Sequence, residues 1–339
     1  MVETLKENWF VVVIAIIMIA AIGYFIFDSN KYNVSSRSSD GKEVLASITD
    51  KDITADDVYK ESSMFDANLL YNMYRNAVVE QTIKTTDAMK DEAKELENTI
   101  RANASSQENY ESAIGQELAS YGFNGFDELY DYCLMTVKEK EMNRIYINDH
   151  FDALSESVKT KNPRTISILS MNVVNPSQLN ETEQKKKDSI DESINKDGFA
   201  KTATAFSEDT NTASNKGLYG YIDSDSAANP NSPLDASVID AALALNKDET
   251  SDWIQVQDRN SGQFFLYKVH VNETDITKMN KSKNKDIKDQ LLYAFLNANQ
   301  GLSTTILEDN ASKLDVKFND KKVEEKLQNY IKQQKGEQK

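Results

Sequence analysis

The chain has 339 residues, 55 of them acidic and 39 basic, for a formal net charge of -16. That balance excludes a nucleic-acid partner held through its phosphates, which needs a basic surface. The length exceeds one ordinary domain and suits two, while 39% apolar and 9% aromatic residues suffice for packed cores under a charged, solvated surface.

The first element is an apolar segment, Trp9 to Phe27, "WFVVVIAIIMIAAIGYFIF", without a single charge. As a helix it spans about 28 Å at roughly 1.5 Å per residue, enough to cross a membrane. Trp9 and Tyr24 lie near its ends, where aromatic rings favour the interface. A cleaved signal peptide is the other reading, but the apolar run exceeds a typical h-region and no small-residue cleavage site follows. Residues 1–8 then form a cytoplasmic tail. Lys6 on one side and Lys31, Arg37 and Lys42 on the other leave the orientation undecided by charge.

Residues 28–43, "DSNKYNVSSRSSDGKE", are polar and serine-rich, as a flexible tether is. Folded structure is expected from residue 44: a short strand, a turn, and a helix capped by Thr54 with Asp57 three positions on. Val58, Phe65, Leu69 and Met73 continue at helical spacing, and helices are predicted over 86–104, 107–121 and 126–158. Cys133 shares a face with Phe126, Leu129, Tyr130 and Val137, so this lone cysteine reads as a small core residue and no intramolecular disulfide is available.

At "KNPRTISILSMNVV" the pattern turns to strand, with Pro163 ending the preceding helix. Helices follow at about 180–196, where the "KKK" of 185–187 is a solvated face, at 198–206 and at 235–245. Two strands in "SDWIQVQDRNSGQFFLYKVHVNE" flank the turn "DRNSG". From Ile276 the chain returns to helix, then an alternating strand "KLDVKF" and a last charged helix before a tail at 333–339. The fold class is α+β: a mostly helical domain, 44–160 with 276–332, carrying an inserted small mixed domain at 161–275 behind an N-terminal transmembrane helix. Walker loops, zinc-ligand spacings and a Ser-His-Asp set are all missing from the sequence, and no cofactor is expected.

Four stretches, in order, carry a resemblance. "ASITDKDITADDVY" looks like an opening strand, turn and helix; "GFAKTATAFSED" is similar position for position to "-DFAELAKEYSED-"; "SPLDASVIDAALALNKDETSDWIQV" is similar to a helix leading into a strand; "LDVKFNDKKVEE" resembles a closing strand and helix. In this order they resemble the PrsA-type extracytoplasmic foldases and, more distantly, SurA: a helical chaperone domain with an inserted parvulin-type prolyl isomerase. The resemblance implies a site of two histidines, a cysteine or aspartate, and an apolar Met/Phe slot.

Carried over residue by residue, the aspartate falls on Asp209 and the following glycines on Gly217 and Gly220, with Tyr219 between them. The two histidine positions fall on Thr165 and Phe265. The apolar slot falls on Leu234 and Val238, with Leu243 at a further aromatic position. Asp209 reads either as an acceptor at the amide site or as an Asx-turn residue in "SEDTNT". The histidines the sequence does have are His150 and His270; His150 reads as a helix-surface residue, and His270, five residues past Phe265, falls on the opposite strand face.

The implied function is a membrane-anchored extracytoplasmic foldase that binds unfolded or partly folded secreted polypeptides, its parvulin-like domain degenerate and serving mainly in client binding. Two alternatives stand: an active isomerase using Asp209 and the apolar slot, and an anchored scaffold for one dedicated partner. The sequence leaves a homodimer open.

Overall fold

The computed structural model describes residues 37–39, 42–48, 51–54, 66–258 and 261–337. The chain divides into two compact units, Met1–Ala67 and Asn68–Lys339.

In the first unit three antiparallel strands lie in the order β1 (Arg37–Ser39), β2 (Lys42–Ile48), β3 (Lys51–Thr54). Ser39 pairs with Lys42, the register of a two-residue hairpin. The sequence between them is Asp-Gly, the strongest short hairpin signal. This corrects the reading of 28–43 as a tether: residues 37–39, 42 and 43 belong to paired strands. Thr54 closes β3; the helix expected after it, with Val58 and Phe65, and the apolar segment 9–27 lie outside the described residues. Among the described residues no helix is long and apolar enough to cross a membrane.

The second unit is mostly helical. Its first helices are α1 (Ala67–Thr82), α2 (Asp87–Ala104), α3 (Tyr110–Ser120), α4 (Leu129–Asp149) and α5 (Phe151–Lys159). The single helix expected over 126–158 is therefore two, broken at His150, whose backbone leaves helical angles at φ -113° and ψ 20°. After the strand-containing segment come α10 (Ile276–Asn280), α11 (Lys285–Ala298), α12 (Leu302–Ala311) and α13 (Lys321–Gln334). Val78, Val79, Met142 and Val158 from the early helices share one core with Ile276, Leu291, Phe295 and Ile306 from the late ones. Between α5 and α10 most of the chain lies off this core, with Leu218 and Tyr221 packed against it. Lys140 on α4 binds Glu92 on α2 and, at 2.9 Å, Asp289 on α11, which ties the early helices to the late ones. A second core under α2, α3 and α4 holds Ala93, Leu118 and Leu129 around Cys133.

Between α5 and α10 in the chain comes a four-stranded antiparallel sheet of β4 (Arg164–Val173), β5 (Leu218–Ile222), β6 (Ile254–Gln257) and β7 (Phe264–Glu273), in the order β5-β4-β7-β6. Alternation along the central pair divides the side chains between two faces. On one, Ile166, Ile168, Val269 and Val271 pack against Val238, Ile239 and Ala242 of α9 (Ala236–Leu243). On the other, Leu169, Met171 and Leu266 pack against Ile190 of α6 (Glu181–Asp197) and Phe199 and Ala203 of α7 (Phe199–Phe206). Covered on both sides, β4 reads as a nearly unbroken buried run. A short helix α8 (Ser224–Ala228) follows β5.

The strand expected at "KLDVKF" does not form. Residues 315–318 lie outside helix and strand, with Val316 N donating to Leu314 O at 3.0 Å. Alternation makes a strand only beside a partner edge, and no described strand pairs with this segment.

Candidate functional site

The site region starts at the turn that leaves α7. Ser207 Oγ accepts from the backbone N–H of Ser170 on β4 (3.2 Å) and of Asp209 (3.3 Å). Asp209 Oδ1 accepts from Asn211 N at 3.1 Å, and its Oδ2 from the Thr212 hydroxyl at 2.6 Å. Both carboxylate oxygens therefore serve the turn, as in an Asx motif. The loop closes where Gly217 N donates to Thr212 O (2.9 Å) and Ile168 N to Gly217 O (2.7 Å). Gly217 has φ +76°, and a Cβ there would lie 2.5 Å from Ile168 O and 2.8 Å from Ala203 Cβ. Only glycine fits that approach. At Gly220 (φ +124°) the corresponding space is filled by the Gln290 side chain of α11, whose Oε1 accepts from Tyr221 N at 2.8 Å.

Beyond this turn lies a groove of about 710 Å³. One wall is the segment 227–236, including Leu234 and Asp235; the other is Val256, Gln257 and Asp258 at the end of β6 with Phe265 and Tyr267 of β7. The Phe265 and Tyr267 rings lie 6.2 Å apart between centroids at 48°. Burial pushes the Tyr267 hydroxyl above its ordinary pKa, and the charges of Asp209, Asp258 and Asp235 push it further. Tyr219 is likewise raised, first by burial, against a lowering hydrogen bond with Ser232 and with a further rise from Asp209. Both phenols remain protonated donors at neutral pH. Asp209, Tyr219, Leu234, Phe265 and Tyr267 thus form one neighbourhood.

Of the remaining candidates none lines the groove, although Val238 and Leu243 share a core cluster with Leu234, Tyr219 and Tyr267. Thr165 is buried and pairs with Tyr221 and Glu273, whereas Phe265 pairs with Asn172. Seven residue steps along β4 separate the two positions, about 23 Å at ~3.3 Å per residue. Val238 is fully buried in the core under α9. Leu243 ends α9 beside Asn162, whose Nδ2 donates to Leu243 O at 3.1 Å. Neither lines the groove. His270 lies on the face away from the groove, stacked on Phe199 (5.3 Å) with Nδ1 at 2.9 Å from Thr250 Oγ1. Burial pushes its pKa down. His150 stacks on Tyr146 at 4.0 Å in an exposed position. Cys133 is buried, and burial first, then Glu97, push its thiol up to about 11, so it is no nucleophile at neutral pH. Among the described residues no cluster of His, Cys, Asp or Glu could hold a metal ion.

Sequence reasoning missed Tyr267, Val256, Ser232 and Asp258. The signal for Tyr267 was available: two positions after Phe265 on a strand, it must share that residue's face. The wall at 227–233 had none, because a polar loop reveals no partner.

Residues 169–259 match the family described as the PPIC-type PPIASE domain, a rotamase. The match begins after Thr165 and ends before Phe265, so both expected histidine positions fall outside it. No curated protein matches the chain. Among solved structures, the foldase protein PrsA of Streptococcus pneumoniae is 19% identical over 86% of this chain and 99% of its own, with a TM-score of 0.42. PrsA of Bacillus subtilis is 17% identical over 85% and 98%, with a TM-score of 0.41. A SurA-like chaperone of Campylobacter jejuni is 16% identical over 81% and 99%, with a TM-score of 0.19. Overlaps of this size carry no conclusion by themselves. The family match spans two of the four motifs, 198–209 and 232–256: the chain has a PPIC-type rotamase domain and resembles the PrsA/SurA-type parvulin foldases.

Proposed function

We propose that this chain is an extracytoplasmic foldase, anchored in the membrane by residues 9–27, that holds unfolded or partly folded secreted polypeptides. In this reading 161–275 is the rotamase domain, inserted between 44–160 and 276–332 of a helical chaperone domain. The inserted domain serves mainly to grip proline-containing client segments.

The supporting observation is the composition of the groove. Prolyl rotation meets a barrier near 18–20 kcal/mol, and a catalyst must favour a twisted amide that has lost resonance. Leu234, Val256 and Phe265 offer the proline ring an apolar seat, and Tyr267 supplies a phenol. No histidine lines the groove, and the Asp209 carboxylate is engaged by its own turn. Such a site binds a prolyl segment but is short of groups that change their interaction as the amide twists. Desolvation alone acts on the bound segment without that discrimination.

The test is a protease-free isomerisation assay on Xaa-Pro peptides, run beside an aggregation assay on several unrelated unfolded clients. The expected outcome is a peptide rate indistinguishable from background with aggregation suppressed for all clients. Acceleration that Phe265→Ala abolishes would establish an active isomerase instead. Suppression confined to one client would point to a dedicated scaffold.

A further inference from the structure

We propose that Tyr267 holds a bound client by donating its hydroxyl to the carbonyl oxygen that precedes the proline, and so grips the prolyl bond without hastening its rotation. The inference rests on the reading of this groove as a client-binding site and names the client atom that the site recognises.

Segment 161–275 has three tyrosines, Tyr219, Tyr221 and Tyr267. Two have partners inside the protein: Tyr219 shares a hydrogen bond with Ser232, and the Tyr221 hydroxyl donates to Asp223 Oδ2 at 3.0 Å. The Tyr267 hydroxyl has no hydrogen-bond partner among the described residues. A half-buried phenol ordinarily finds an acceptor. The Tyr267 ring packs against the core that holds Leu234 and Val238, which fixes where the hydroxyl points, and the charge of Asp235, a residue of the groove wall, reaches that hydroxyl. The phenol is therefore an unused donor held at the groove. Other side-chain donors of the groove are committed or open to water: Gln257 Nε2 donates to Gly262 O at 3.2 Å, and Asn229 and Asn231 are exposed.

Phe265 and Tyr267 stand two positions apart on β7, their ring centroids separated by 6.2 Å. When a prolyl ring seats on Leu234 and Phe265, the carbonyl carbon before it is bonded to the ring nitrogen, so its oxygen lies one side-chain step from the seat. Tyr267 stands at that step. The carbonyl oxygen only accepts and the phenol donates, whereas an ionised carboxylate has no proton to offer it. This bond acts more strongly on the planar amide than on the twisted one. Resonance places negative charge on the carbonyl oxygen of the planar amide, and rotation removes it. A donor at this oxygen therefore stabilises the ground state above the transition state and raises the barrier of the bound segment. The same contact that tightens binding slows rotation.

The experiment measures binding of the labelled pentapeptide Ala-Ala-Pro-Phe-Ala to the full-length protein in non-ionic detergent, beside an analogue in which sulfur replaces the carbonyl oxygen before the proline. Sulfur is the weaker acceptor. Tyr267→Phe keeps the ring against the core, and its unfolding midpoint should match that of the wild type, because the hydroxyl has no bond in the fold to lose. The oxygen peptide is expected to bind the wild type about fivefold more tightly than Tyr267→Phe, as a hydrogen bond of ordinary net strength implies, and the sulfur peptide should bind the two within about twofold. Equal binding of the oxygen peptide by both proteins, or equal losses for both peptides in Tyr267→Phe, overturns the assignment while leaving the groove as a client site. Absence of binding by either peptide to the wild type overturns the reading of the groove as well. The second readout is the relaxation of cis-enriched oxygen peptide after a solvent jump into saturating protein. It is expected to be slower than in buffer with the wild type, and to recover with Tyr267→Phe. Wild-type relaxation as fast as in buffer, or faster, overturns the inference.

Discussion

Where Thr165 faces Glu273, the β4–β7 ladder is closed: Arg164 is buried, its Nε donating to Ala242 O and its Nη2 to Leu245 O, both at 2.8 Å, so the guanidinium fastens the chain leaving α9 to the start of β4. Where Asn172 faces Phe265, the same ladder is open, and its side chains line a groove walled by the segment 227–236. The two ends share one hydrogen-bonded sheet yet differ in what their polar groups do. At the closed end a cation satisfies carbonyls; at the open end the Asp235 carboxylate caps α9 at the edge of a cleft. A motif position at the closed end is therefore a structural position, whatever chemistry a related fold places there.

The sharpest way to break the comparison is Arg164→Ala, which takes the guanidinium donor from the Leu245 carbonyl, while Ala242 O keeps the Leu245 N–H at 3.2 Å. An unsatisfied carbonyl costs about 1–3 kcal/mol and the lost packing of the buried arginine stem adds to it, so a loss of about 3 kcal/mol is expected. Thermal unfolding should read this as a fall of roughly 6–12 °C in the unfolding midpoint. Prolyl-peptide affinity measured well below that temperature should stay unchanged. Arg164→Lys keeps the charge but loses the planar fork and should fall between the two.

Next in size is Gly217→Ala. Its Cβ would meet the Ile168 carbonyl at 2.5 Å, a backbone atom fixed in a central strand, in addition to the cost of a positive φ. A loss of about 2 kcal/mol is expected from urea unfolding. Gly220→Ala meets only the Gln290 side chain, which can rotate away, and should cost less. Phe265→Ala addresses the open end directly: Phe265 is half-buried, so about 1 kcal/mol of stability is lost, while prolyl-peptide binding weakens about tenfold. Thr165→Val, at the closed end, should leave that binding unaltered. Equal effects of the two on binding would erase the distinction between the ends.

Much of this fold was legible because it is local. The helices from 87 to 104 and from 181 to 197 follow the 3.6-residue pattern, and Ile166, Ile168 and Met171 mark a strand by their β-propensity. The errors come where a neighbour decides. "KLDVKF" alternates like a strand but has no described edge beside it, and "SSDGKE" looked like a tether although its Asp-Gly pair sits at a hairpin register. At the site, Leu234, Asp209 and Phe265 could be placed from similar segments, since each lies close to a recognisable helix or turn. Thr165 could not, because its distance from Phe265 depends on ladder register, and a bulge between Thr165 and Ile166 shifts that register at the strand's start.

On the face away from the groove, His270 gives a smaller effect that depends on pH. Burial lowers its pKa below the ordinary value, opposed by Asp248, so folding keeps it neutral while the unfolded chain takes a proton near pH 6.5. Its contribution is fully present above that pH and is lost as pH falls towards the lowered folded value. The unfolding midpoint of the wild type should therefore drop more steeply between pH 7 and 5 than that of His270→Gln. Parallel curves would remove His270 as a source of acid sensitivity.

The smallest change asks whether the open end does chemistry at all. Asp209 accepts from Asn211 N and from the Thr212 hydroxyl, and asparagine retains the oxygen for the first of these bonds while removing the charge. A turn residue should tolerate Asp209→Asn within about 0.5 kcal/mol, whereas Asp209→Ala loses about 1 kcal/mol with the Asx bond. A group that stabilises a twisted amide by its charge behaves oppositely: stability survives in Asp209→Asn, but any acceleration of Xaa-Pro isomerisation disappears. Measuring both variants by urea unfolding and by peptide isomerisation separates the roles, because stability ranks Asn above Ala under the turn role and activity ranks them equally low under the catalytic one. The two carboxylate bonds already drawn into the turn predict the first pattern, with no isomerase rate to lose.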